Sequence, residues 1–310
     1  MAANSKVAEV AASGAETAAA ELAIAARPET RVVVVPAREF VRFTRLYRTL
    51  HACMIVSFIT LALTGMSLKF SYTVWAVRLS HLLGGFEMAG WVHRFAALLM
   101  FGTVIAHIVG LVKQKRRSGK PWRDMMFGPN TMLPTKRDLH EFAGTMKWFL
   151  GRGPRPDYGR WTYWEKFDYF AVFWGIIVIG CTGLTLWFPV FFTRFLPGPF
   201  INIATIIHSD EALLATGFIF TVHFFNTHLR PEKFPMDTVI FTGHMPVAEL
   251  KRDKPREYAA LVASGELQRR LEEPQPEIVV KAIRMFAWTA LAIGFSVVIW
   301  IVYAMVFAYR

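Results

Sequence analysis

Five stretches of the chain are continuously apolar, and the polar residues collect between them. The apolar runs cover roughly residues 50–70, 90–112, 167–188, 202–228 and 282–308. Each is close to the 20 or so residues that a helix needs to cross a bilayer core. The pattern predicts an all-α fold, a polytopic membrane helix bundle with a four-helix core and a fifth C-terminal transmembrane helix. The polar segments predict the domain limits. Residues 1–46 read as an N-terminal tail, ending in the basic, aromatic approach REFVRFTRLYRT. Residues 47–230 form the four-helix domain, with a long loop at 113–166. Residues 231–281 form a charged segment, and 282–310 the last helix. Within the two long polar segments, TKRDLHEFAGTMKWFLG and KPREYAALVASGELQRRLEE read as amphipathic surface helices.

At 54% hydrophobic over 310 residues, the chain is too apolar for an ordinary soluble domain. Its net charge of +12 follows the loops alternately, as a topology signal does, so membrane lipid rather than nucleic acid is the expected partner. The N-terminal region, the 113–166 loop and the 231–281 segment are rich in Lys and Arg. The 71–90 and 189–201 loops carry only Arg78 and Arg194. The positive-inside rule then puts the N-terminus in the cytoplasm and the C-terminus outside. Two cysteines, with no CxxCH, exclude covalent c-type haem attachment by that signature and any cysteine-held cluster.

The histidines give the apolar runs a chemistry. His93 and His107 lie in the second run, His208 and His223 in the fourth. Ionisable residues at such positions are costly and mark function. Spacings of 14 and 15 residues separate the members of each pair by about 21 and 22 Å along a helix. Neither pair can grip one metal ion, so each histidine needs a partner at its own depth on the other helix. Two stacked bis-histidine haem sites follow: an outer one from His93 and His208, and an inner one from His107 and His223. His51 and His228, near the inner interface, are further candidates and raise the count from two b-type haems to three if they hold one of their own. On an α-helix, His223 and His228 would differ by about 140° and face apart. The competing reading is a proton-coupled transporter that uses intramembrane His, Asp and Glu as a relay.

A weak internal repeat runs through the same helices. The first ends TGMSLKF and the third TGLTLWF, and each leads through a short loop to a helix with two spaced histidines. Fourteen residues before Gly65 stands His51, whereas fourteen before Gly183 stands Tyr169.

HRFAALLMFGTVIAH, GRWTYWEKFDYFAVFWG, TGLTLWF and IHSDEALLATGFIFTVHFF resemble the membrane cytochrome b subunits of formate dehydrogenase and thiosulfate reductase, over roughly residues 40–240. The resemblance implies a prokaryotic cytoplasmic membrane and electron transfer between the quinone pool and a periplasmic redox partner. That partner would be a multihaem cytochrome c or a molybdenum or iron–sulfur subunit. It also implies haem ligation at His93, His107, His208 and His223. A histidine at the start of the first helix, the place of His51, ligates the inner haem in formate dehydrogenase-like members. For the quinone, the inner end gathers Asn226, His228, Arg230 and Glu232, with Asp210 and Glu211 as the competing outer cluster.

Overall fold

In a computed structural model, residues 38–234 and 236–308 are described. Most of the expected tail, residues 1–37, lies outside them. The rest of it is built into the fold: β1 (Glu39–Val41) and the first turn of α1 (Arg45–Lys69). The chain continues through α2 (Val74–Leu82), α3 (Phe86–Ser118), α4 (Trp122–Phe127), α5 (Lys136–Phe149) and α6 (Tyr163–Trp187). After α7 (Pro189–Phe192) comes α8 (Pro199–Phe218), which runs on through two wide π turns, Ile219–His223 and Phe225–Leu229. Then follow α9 (Val239–Thr242), β2 (His244–Pro246), α10 (Val247–Asp253), α11 (Pro255–Ala263), α12 (Glu266–Arg269), β3 (Leu271–Glu272) and α13 (Glu277–Tyr303), prolonged by a π turn to Ala308.

Five of these helices are long and apolar enough to cross a membrane: α1, α3, α6, α8 with its extension, and α13 with its own. The architecture is an all-α polytopic bundle. α3 is longer than its apolar run, because Lys115, Arg116 and Arg117 continue it for another turn. Their charges oppose the negative end of the helix dipole, and Gly119 at φ +64° ends the helix. α6 starts at a reciprocal cap, in which the Glu165 carboxylate accepts from the Thr162 backbone N–H and hydroxyl.

α1 packs against α3, and α6 against α8, giving two hairpins. They meet where Gly180 faces Phe101, at a distance that leaves a Cβ only 2.9 Å from the ring. α13 is part of this packing. Its Ala287, Leu291 and Val297 share a core with Met66, Phe220 and Phe224. At Gly294 a Cβ would sit 2.5 Å from Phe220. The 71–90 connection is also more than a loop, since α2 lies there, capped by the Thr73 side chain.

A small cap closes the end of the bundle that carries the basic residues. β1 is the middle strand of an antiparallel sheet in the order β2-β1-β3, with Phe40 opposite Met245 and Leu271. Phe40, Met245, Leu250 and Leu267 form its core. KPREYAALVASGELQRRLEE is therefore not one surface helix. Gly265 at φ +68° breaks it into α11 and α12, and its tail becomes β3. Ion pairs clamp the cap to the bundle. Arg42 and Arg160 bind the two oxygens of Glu257 at 2.6 and 2.8 Å, and Lys254 reaches Glu165 at 2.5 Å. Burial pushes the Lys254 ammonium down to about 8, against the pull of Glu165. α5 is the expected amphipathic helix. Its Asp138, Glu141 and Thr145 are buried, and Leu139, Phe142 and Phe149 are exposed.

Candidate functional site

Between the core helices, α13 and the cap runs a partly open cavity of about 2130 Å³, lined among others by His51, His93, His107, His208, His223 and His228. Sites for small molecules and cofactors are roughly 300–1,000 Å³, so this one has room for more than one group. Among the described residues no three metal-ligating side chains gather round a point.

At the end away from the cap, His93 of α3 and His208 of α8 face one another, with ring centroids 6.2 Å apart and planes at 72°. Each is held from behind by the matching piece of the repeat. Thr64 Oγ1 lies 2.9 Å from His93 Nδ1, while its own proton goes to the Thr60 carbonyl. The hydroxyl must then accept, and His93 Nδ1 carries the proton. His208 Nδ1 donates to the Ile179 carbonyl at 2.9 Å, with Thr182 Oγ1 at 3.3 Å. Gly65 and Gly183 make the space: a Cβ there would lie 3.2 and 3.0 Å from the Cε1 of His93 and His208. With both Nδ1 protons engaged, each Nε2 is left as a free lone pair. Two imidazoles on opposite sides of one metal, at about 2 Å per metal–nitrogen bond, would put their centroids roughly 6.3 Å apart. The outer pair fits a bis-histidine haem. Arg94, stacked between Trp91 and Trp187 at 5.0 and 5.8 Å, supplies a cation beside it.

At the capped end the histidines are not arranged as the depth argument alone expects. His223 Nδ1 lies 3.0 Å from Asp168 Oδ2. A carboxylate can only accept, so His223 too carries its proton on Nδ1. His51 and His228 line the same cavity. His107 is occupied elsewhere. Its Nε2 lies 2.9 Å from the Tyr169 hydroxyl on α6, and its ring packs on Tyr47 and Phe173. Among the described residues no ring contact joins His107 to His223. The repeat accounts for this. His51 and Tyr169 hold equivalent places on α1 and α6, and His107 and His223 equivalent places on α3 and α8. By the repeat, the counterpart of His223 is His51, and that of His107 is Tyr169, to which it is bonded.

α-Helical geometry sets His223 and His228 on different faces. Here both fall in the wide turns of α8, where Phe224 N–H donates to the Ile219 carbonyl in an i→i+5 bond. The two rings still turn to different partners, His223 to Asp168 on α6 and His228 to Phe241. His228 is buried, with its ring stacked on Phe241 at 17° and 6.4 Å, and His51 meets the same Phe241 ring edge-on. His51 Nδ1, His228 Nδ1 and Asp168 Oδ1 are buried without partners.

Of the expected quinone residues, Asn226 and Arg230 line the cavity with His228, and Glu232 does not. Arg230 stacks on Trp164 at 4.9 Å, with its Nε buried and unpartnered. At the opposite end Asp210 is paired with Lys69 at 2.9 Å, and Glu211 accepts from the Trp174 indole at 3.0 Å. Asp168, Tyr169, Thr64 and Thr182 were missed as site residues. The signal was present in the TG repeat and in the WEKFDYF run that opens α6. Compared with models of known protein families and with curated proteins, the chain matches none.

Proposed function

We propose that this chain is a membrane-bound b-type cytochrome that carries electrons between a lipid-soluble quinone and a redox protein docked at the end of the bundle away from the cap. The observation that carries the reading is the shared state of three cavity histidines. His93, His208 and His223 each donate Nδ1–H to a fixed acceptor and keep Nε2 free. Metal-bound histidines are held in this way, their second nitrogen tied to a carbonyl, hydroxyl or carboxylate. The 6.2 Å spacing of the outer pair supports haem as the occupant.

His93 and His208 would hold the outer haem. His223 would hold the inner one, opposite His51 rather than His107. When bound, haem supplies one-electron chemistry in a region where water and free ions are scarce. The protein orients His93, His208 and His223 through their Nδ1 acceptors, lines the site with the apolar walls of α1, α3, α6 and α8, and offers the Arg94 guanidinium near the outer pair. The basic cap would face the cytoplasm of a prokaryotic cell by the positive-inside rule. The short connections at the far end would leave the outer haem close to its partner, a periplasmic multihaem cytochrome c or an iron–sulfur or molybdenum subunit.

Pyridine haemochrome analysis of the purified protein should give at least two b-type haems per chain. His208→Ala should remove one low-spin signal and spare the other. A colourless protein would refute the assignment and leave a proton-relay transporter as the reading. Full haem content in His208→Ala would refute the outer pairing.

A further inference from the structure

We infer that the His107–Tyr169 pair, between α3 and α6, is a binding site for the headgroup of a lipid-soluble quinone or quinol. This deepens the electron-transfer reading and rests on it. His107 lines the same cavity as the other histidines, yet its ring is set differently. Its Nε2 is joined to the Tyr169 hydroxyl at 2.9 Å, where the other three hold Nε2 free. The pair stands at the inner level of the bundle, in the position that the repeat makes equivalent to His223 and His51, with a phenol in place of one imidazole. A phenol and an imidazole in one hydrogen bond offer a donor and an acceptor side by side. That is what a quinone carbonyl and a quinol hydroxyl require.

The walls of the site suit a flat ring with an isoprenoid tail. Tyr47 and Phe173 pack against the imidazole with centroids 6.1 and 5.9 Å away. On the outer side of the same helices Ile105, Ile108 and Phe170 are 61%, 48% and 54% exposed. These exposed apolar side chains suit the hydrocarbon of a bilayer, from which a lipid-soluble ligand would approach the pair. Toward the basic end, the Tyr47 hydroxyl donates to Gln114 Oε1 at 2.9 Å, which extends the polar groups from His107 to the last turns of α3. In the Asn226, His228 and Arg230 cluster, by contrast, His228 is buried and stacked on Phe241.

The test is a fluorescence-quenching titration with a hydroxyquinoline N-oxide, a quinone mimic, on the full haem-loaded chain in lipid nanodiscs. Tyr169→Phe and His107→Leu should each weaken binding about tenfold. Haem content and the dithionite-reduced spectrum should stay at wild-type values, and Arg230→Gln should bind like wild type. Unchanged binding in both variants, or weakening in Arg230→Gln alone, would overturn the site. Loss of one haem in His107→Leu would also overturn it, by making His107 a haem ligand. A wild-type protein without haem would refute the electron-transfer reading, and the titration would still be read independently.

Discussion

Whether a histidine in this bundle can bind a metal depends on the atom behind it. Ile179 O, Thr64 Oγ1 and Asp168 Oδ2 each fix a proton on Nδ1 and so free the opposite nitrogen. Among these, Asp168 is the most consequential, because it adds a negative charge behind His223. Asp168→Asn keeps the shape but removes that charge, and changes to such outer partners cost roughly 10–100-fold in metal affinity. The expected result is selective loss of the inner haem during dilution or dialysis, read as a falling haem-to-protein ratio with the outer signal intact. Equal retention of both haems would show that Asp168 does not support a ligand. The histidines and their depths were legible in the sequence, because rare residues in apolar runs stand out. Their partners were hinted at only by the TG repeat and the WEKFDYF run. Threonine, glycine and backbone carbonyl are common residues and groups, and only the fold shows which of them meet an imidazole.

At the scale of elements, the spans followed from apolar runs, since hydrophobic length is a local property. The turns of α8 and the placement of α13 were less visible. Nothing local announces that the helix widens at His223 and His228. α13 carries no histidine, and its role appears only in the contact of Gly294 with Phe220 and Phe224. That contact gives a prediction. Gly294→Val forces atoms into a filled space, and such overpacking costs roughly 1–3 kcal/mol. The variant should unfold at lower denaturant than wild type. Haem loss should follow, because Phe220 and Phe224 lie on the turns that carry His223. A variant with wild-type stability would mean that α13 is not firmly seated on α1 and α8.

Across the whole molecule, the cap is the part most sensitive to pH. Burial alone would raise the Glu257 carboxyl, but the guanidiniums of Arg42 and Arg160 outweigh it and hold it below its ordinary 4.5. Asp138 and Asp253 are lowered in the same way, against burial, by Lys166 and by Arg252 with Lys233. A group with a depressed folded value binds protons more readily when unfolded. Its stabilisation is complete above the unfolded value and is lost as pH falls through the folded one. Hydrogen exchange should therefore show amides of residues 244–272 losing protection below about pH 4.5, before those of the spans. Simultaneous loss in both regions would contradict this. The sheet of the cap was invisible in the sequence for a related reason: its strands are two or three residues long and their pairing is remote. β1 leaves the ribosome some two hundred residues ahead of its partners Met245 and Leu271. At roughly 5–20 residues per second, translation reaches them only about 10–40 s later. By then α1, α3, α6 and α8 have all been synthesised. Throughout that interval the nascent bundle stands unsealed at this end, and any group destined for the cavity would have until the strands meet to enter from there.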